Sequence, residues 1–193
     1  MMRRRQFVSL CAGAVTATLT SAVSAHTPFN QWQVYRRKHL LIGCHKDAPP
    51  TYELAKKLVA ALEHDLPGAS ARVARAPDAR RIASLMGTDQ LDTAVLGPAD
   101  ALQVMSGKGA YVAYGTIDLR LLYQFDQHVL VGLADMPDRH AWLIHDALDR
   151  SHRHIAGQLH AVQSEPRQET AQTGIDWHPG ARMSRRGKSL PDA

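Results

Sequence analysis

The chain has 193 residues and a formal net charge of +5, but most of the excess positive charge lies at its two ends. Residues 26–181 carry 16 basic and 17 acidic side chains, so this central part is close to neutral. That balance argues against a nucleic-acid-binding protein, which needs a concentration of Lys and Arg on its folded surface. The length beyond residue 25 is sufficient for one domain with its own core.

The first 25 residues have the pattern of an export signal. A charged head, RRRQF at positions 3–7, precedes a mildly apolar run over 8–23 and the small residues Ser24 and Ala25. This order predicts a secretory signal peptide over 1–25. The paired arginines also fit the twin-arginine type, whose cargo is exported folded. We therefore expect a periplasmic protein, with an uncleaved amino-terminal anchor as the alternative.

The first predicted elements after the signal are a strand and a helix. His39–Gly43 is a short apolar run that ends in glycine and predicts a buried strand. Thr51 is a predicted N-cap, because leucines and alanines recur at helical spacing over 54–62. Pro67 and the glycine after it end the helix. Cys44 follows the strand as the one cysteine outside the signal, so it is either a buried apolar residue or a reactive thiol.

The rest of the chain continues the alternation of strands and helices. Asp78 is a predicted N-cap, and Pro137 is a predicted first helical residue. Strands are predicted over 71–75, 93–96, 111–114, 119–123 and 129–133, with a helix over 99–105 between the second and third. This order predicts an α/β fold with a mostly parallel sheet flanked by helices. The domain is expected over 26–163, and the polar composition of 164–193 predicts a flexible tail.

Three separated segments carry a family resemblance. They are 40–68, 91–101, and 135–144 together with Trp177-His178-Pro179-Gly180-Ala181. The chain resembles the TAXI family of periplasmic solute-binding subunits, which serve TRAP transporters. The resemblance implies a type II periplasmic-binding-protein-like lobe. In the family, the pieces that end at Val131 and begin at Asp135 flank most of a second lobe. Here one follows the other directly, so this chain resembles a single lobe.

Seven residues are candidates for ligand binding. In open α/β sheets, ligands bind at the carboxyl ends of strands, where helix N-termini favour anions. Two segments that follow predicted strands fit this rule, and their candidate residues are Cys44, His45, Lys46, Thr51, Tyr52, Gly97 and Asp100. The family resemblance implies a small anionic, carboxylate-type solute. The alternative is an ordinary capped turn that binds nothing.

No nucleophile and base are found at a spacing typical of catalysis, so we expect no enzyme activity, no catalytic residues and no cofactor. The resemblance implies a small anionic solute or a protein partner, a membrane permease among them, and loss of a lobe favours self-association into a homo-oligomer. Nucleic acid is not an expected partner.

Two alternative functions are a periplasmic metal-delivery protein and an accessory subunit of an exported redox enzyme. The first would use Cys44 and some of the eleven histidines, but His140 and His145 are five residues apart, which misses helical ligand spacing. No metal site is therefore predicted.

Overall fold

A computed structural model describes residues 38–46, 48–125, 127–151 and 173–192. The predicted signal peptide lies outside the described residues, as do His152, His154 and His160 and the first part of the predicted tail. Within the described ranges, no helix is both long enough and apolar enough to cross a membrane.

The described residues form five β-strands and five α-helices. The strands are β1 (Leu41–His45), β2 (Arg72–Ala76), β3 (Thr93–Leu96), β4 (Leu119–Gln124) and β5 (Val129–Leu133). The helices are α1 (Pro49–Asp65), α2 (Ala79–Met86), α3 (Pro98–Ser106), α4 (Asp138–Arg150) and α5 (Pro179–Arg185). Two 3₁₀ segments, Pro67–Ala69 and Gly109–Tyr114, follow α1 and α3. The predicted α/β class is confirmed.

The strands form one mixed sheet in the order β2-β1-β3-β5-β4. β1 pairs in parallel with β2 and β3, whereas β5 runs antiparallel to both β3 and β4. The prediction of a mostly parallel sheet is corrected accordingly, because half of these four strand pairings are antiparallel. The cause is local: β4 and β5 are consecutive strands joined by a short turn, and parallel neighbours need a long crossover instead.

Helices cover both faces of this sheet. The connection through α1 moves outward from β1 to β2, and the connection through α2 returns across β1 to β3. Because such crossovers are right-handed, α1 and α2 lie on opposite faces. α4 packs against α1 and α5, whereas α2 and α3 both pack against Gly109–Tyr114. The core lies between these layers and includes the fully buried Ile42, Leu54, Leu58, Leu96, Leu121 and Leu130.

Gly43 lies in the middle of β1 and does not end it. The sequence predicts a strand over His39–Gly43, but β1 runs from Leu41 to His45. A Cβ atom on Gly43 would overlap the side chain of Leu91. The glycine is therefore explained by close packing inside the sheet, and the strand continues for two more residues towards the candidate site.

Residues 111–114 form part of a 3₁₀ segment, so the predicted strand there is wrong. Gly109 and Gly115 both have positive φ angles, 60° and 68°, which turn the chain at each end of the segment. Tyr111 is buried, whereas Val112 is 68% exposed. The run of aromatic and β-branched residues imitates a strand, but it lies between two glycine turns and forms a 3₁₀ segment.

A bridge attaches the C-terminal segment to the outer strand of the sheet. Trp177 pairs in parallel with Leu121 of β4. The backbone N–H of Leu121 donates to the carbonyl of Asp176 at 2.8 Å, and the N–H of His178 donates to the carbonyl of Leu121 at 2.9 Å. Residues 173–192 are thus held against the sheet.

The sequence Trp177-His178-Pro179-Gly180-Ala181 explains why this part of the predicted tail is packed. The Nδ1 atom of His178 accepts from the backbone N–H of Gly180 at 3.3 Å and so caps α5. A Cβ atom on Gly180 would overlap the backbone carbonyl of Asp138, so α5 approaches α4 as closely as two backbones allow. Ala181 is fully buried. A few small or apolar residues anchor a segment whose average composition is polar.

Candidate functional site

The sheet order creates a switch point between β1 and β3. From β1 the chain moves to β2 on one side, then returns to β3 on the other side. The helices that follow β1 and β3 therefore diverge, and ligands of open α/β sheets bind in the resulting crevice, outside the carboxyl ends of the strands. The predicted segments 44–46 and 97–100 lie at this edge, which we call the switch-point edge.

At the start of α1, the backbone offers few donors. The helix begins at Pro49, two residues before the predicted cap, and Ala48 occupies the N-cap position. The hydroxyl of Thr51 lies 2.9 Å from the carbonyl oxygens of both His45 and Ala48, and its N–H also donates to Ala48. Because Pro49 and Pro50 have no N–H, these first three positions leave no open backbone donor for an anion.

The start of α3 carries its own negative charge. Gly97 is the N-cap, and Asp100 lies in the first turn. The hydroxyl of Tyr111 donates to the carboxylate of Asp100 at 3.1 Å. Burial, together with this carboxylate, raises the pKa of Tyr111, so its phenol stays protonated. Since Asp100 already occupies the positive end of the helix dipole, a second anion is disfavoured there.

Cys44 is a core residue in the structure. Its side chain is fully buried in the hydrophobic cluster. Burial raises the pKa of its thiol to about 11, and the nearby Arg75 only partly offsets this effect. The thiolate, which is the form that binds metals and attacks electrophiles, is therefore not populated at neutral pH.

Two histidines lie at the switch-point edge. His45 ends β1, is half-buried, and has a buried Nδ1 atom without a hydrogen-bond partner among the described residues. His128 precedes β5, and the reversed direction of β5 brings it to the same edge. Burial lowers the pKa of His128, and His45 nearby lowers it further, so the His128 ring is neutral at pH 7.

Cationic and aromatic side chains border these histidines. Lys46 is exposed, and its backbone N–H donates to the carbonyl of Ala76 at 3.1 Å. Two cations contact the ring of Tyr52: the Nζ atom of Lys56 is 4.9 Å from its centroid, and the guanidinium carbon of Arg75 is 4.8 Å away. Such cation–π contacts fix the aromatic ring beside the end of β2.

The seven predicted residues thus divide into three groups. His45, Lys46 and Tyr52 are at least partly accessible, Cys44 and Thr51 are buried, and Gly97 and Asp100 build the adjoining helix start. The sequence interpretation missed Arg75 and His128. Arg75 lies next to the last residue of a parallel strand, so the strand-end rule could have found it. His128 could not be found this way, because its position depends on the reversal of β5.

The histidines of α4 are not arranged as a metal site. His140 is exposed, whereas His145 is buried with its ring centroid 5.4 Å from that of Tyr123 and 5.8 Å from that of Trp177. The Nδ1 atom of His145 lies 3.0 Å from the hydroxyl of Ser184. The described ranges contain no group of three or more His, Cys, Asp or Glu side chains that could hold a metal ion.

A cavity of about 670 Å³ lies at the opposite edge of the sheet. It adjoins the residues that precede β1 and β3 and the residues that follow β5. None of the seven predicted residues lines it. The concave surface and the switch-point edge are therefore two separate places on the protein.

The sequence matches no protein-family model, and no curated protein matches it.

Proposed function

We propose that this chain is an exported, non-enzymatic binding protein, built as one type II periplasmic-binding-protein-like lobe and related to the TAXI subunits of TRAP transporters. One observation carries the proposal. β5 ends at Leu133 and α4 begins at Asp138, and the N–H of Met136 donates to the carbonyl of Leu133 at 3.2 Å. The family resemblance places most of a second lobe between the segments that end at Val131 and begin at Asp135. A short turn joins these segments here, which supports a single lobe among the described residues.

The occupant that best fits the switch-point edge is another protein. The starts of α1 and α3 provide little for a small anion, because two prolines remove donors at one and Asp100 occupies the other. Tyr52, Arg75 and the two histidines instead give an edge of aromatic, cationic and imidazole groups. Tyr and Arg are enriched in protein interfaces and carry much of the binding energy there.

This partner would bind the single lobe at the switch-point edge. The resemblance favours a component of the transport system, such as the membrane permease, and a second copy of the chain would cover the same edge as a homo-oligomer. A small carboxylate held by Lys46 and Arg75 is the remaining occupant. These cases differ in mass, so one experiment separates them.

The test is site-specific photo-crosslinking in the native host. A photoreactive residue replaces Lys46 at the switch-point edge or, as the control, Lys108, which is exposed after the end of α3. We expect a discrete crosslinked protein in the periplasmic or membrane fraction from position 46 alone, and its loss in a Lys46 variant that also carries Arg75→Glu. Equal crosslinking from both positions, or a chain that stays in the cytoplasm, would contradict the proposal.

A further inference from the structure

The two outer strands of the sheet differ in how their free edges are covered. β4 is the outer strand on one side, and β2 is the outer strand on the other. At β4, the residues on either side of Trp177 bond to the N–H and the carbonyl of Leu121. β2 packs against β1, α1 and α2, and no strand lies beyond it among the described residues. The outer edge of β2 is therefore the open edge of the described sheet.

The register of β2 shows which of its backbone groups point outward. The N–H of Arg72 donates to the residue before β1 at 2.8 Å, and the carbonyl of Ala76 accepts from the residue after β1 at 3.1 Å, so both residues face β1. Consecutive residues of a strand direct their N–H and C=O groups alternately to its two sides. Val73 and Arg75 therefore direct theirs away from β1, which gives two donors and two acceptors at the outer edge.

The backbone of β2 is regular along this edge. Its pairing with β1 continues over all five residues without a register shift, so the strand carries no bulge. Proline, which would remove a donor, first follows at position 77, after the strand has ended. The guanidinium of Arg72 donates to the carbonyl of Ala71 and so covers the start of the edge. The stretch that can accept a further strand is Val73 to Arg75.

The exposed side chains of β2 are cationic. They belong to Arg72 and Arg75. Arg72 pairs with Glu63 of α1, but both side chains are about half-exposed, so this ion pair contributes little stability. Arg75 contacts the ring of Tyr52, and no described carboxylate lies within ion-pair distance of it. Because like charges on facing strands repel, the two arginines oppose pairing with a second copy of β2 and favour an incoming strand that carries carboxylates.

We propose that the outer edge of β2 binds an extended acidic segment of another protein, which adds a further strand to the sheet. Main-chain hydrogen bonds to Val73 and Arg75 supply the affinity, and carboxylates that meet the two arginines of β2 set the preference for an acidic sequence. The inference rests on the proposed function for the class of occupant, since Arg75 also borders the switch-point edge. It specifies the part of the partner that this chain recognises.

The test uses synthetic peptides as probes and amide hydrogen exchange of the full chain, purified from its host, as the readout. The first probe is a capped peptide of alternating glutamate and valine. In one matched control lysine replaces every glutamate, and in another proline replaces the central valine. We expect the glutamate peptide to slow exchange at Val73 and Arg75 about tenfold when its concentration is about ten times the dissociation constant. The two control peptides should leave these amides unchanged.

Two variants of the chain test the role of charge. Arg75→Glu should weaken binding of the glutamate peptide by roughly tenfold or more, because it places a like charge beside the incoming strand. Lys108→Glu, the same change of charge at an exposed position after the end of α3, should leave the binding unchanged. Equal effects of the two variants would show that net charge alone attracts the peptide and would overturn the proposal.

Three other results would also overturn it. The first is no slowing at Val73 and Arg75 with the glutamate peptide, and the second is slowing confined to other parts of the chain. The third is a dimer of the free chain that protects the same two amides, because the occupant would then be a second copy. Crosslinking from Lys46 stays a separate readout. A crosslinked partner without protection of β2 refutes the strand addition alone, whereas protection of β2 without a crosslinked partner refutes the proposed function alone.

Discussion

Acidification should destabilise this protein through His145. Burial lowers the pKa of this imidazole from an ordinary 6.5 to about 4, with Asp149 and Asp146 opposing the effect and Arg185 adding to it. The folded state therefore keeps a neutral ring, whereas the unfolded chain takes up a proton below about pH 6.5. The stabilisation is complete above that pH and is lost as the pH falls towards about 4. At about 1.4 kcal/mol per pH unit, the loss approaches roughly 3 kcal/mol.

The assay compares urea unfolding of the wild-type chain and of His145→Phe across this pH range. Phe keeps a ring between Tyr123 and Trp177 but cannot titrate. Carboxylates and other histidines titrate in both proteins, so the difference between the two pH profiles isolates His145. We expect the variant to lose about 2 to 3 kcal/mol less of its free energy of unfolding than the wild type on acidification.

His140→Phe is the matched control, since His140 lies on the same helix and is exposed. Its pH profile should parallel that of the wild type. If His145→Phe also parallels the wild type, the ring is not held neutral by burial, and the described packing of α4 against α5 is wrong.

Three further predictions concern packing and capping. Gly180→Ala forces α5 away from Asp138 and should lower the free energy of unfolding, measured in urea, by about 1 to 3 kcal/mol. Gly68→Ala is the control, because an added Cβ there meets no neighbour, and it should change the free energy of unfolding by less than about 0.5 kcal/mol. Equal effects of the two variants would refute the close contact between α5 and α4. Asp78→Ala removes the acceptor that caps α2 and should cost about 1 kcal/mol by the same measurement. The thiol of Cys44 should react with a thiol reagent only on unfolding, and rapid labelling located at Cys44 in the native protein would contradict its burial.

The strands and helices could be predicted where a local pattern decides the structure. Thr93–Leu96 is an apolar run between turn residues, and it forms β3 with the predicted bounds. Asp78 caps α2 as predicted, since its carboxylate accepts from the N–H of Arg81 at 2.8 Å. The end of β1 was predicted wrongly because Gly43 reflects contact with Leu91, a neighbour that is distant in sequence.

The site could be predicted only in part, for a similar reason. The strand-end rule places Lys46 and Gly97 at one edge of the sheet, and the parallel pairing of β1 and β3 agrees with that placement. It could not show that Thr51 and Asp100 are engaged with other groups of the protein, because these bonds form only in the folded chain. Nor does a local pattern reveal that β5 is reversed, which decides the position of His128.

The bridge between Trp177 and Leu121 has a consequence for biosynthesis. Chain synthesis proceeds from the N-terminus, so all five strands of the described sheet are complete long before Asp176 and His178 are made. Until then the outer edge of β4 lacks the partners of Leu121, and an uncovered strand edge invites pairing with other chains. The sheet is therefore protected on that side only late in synthesis, and a nascent chain that stops short of residue 178 should be the form most prone to aggregate.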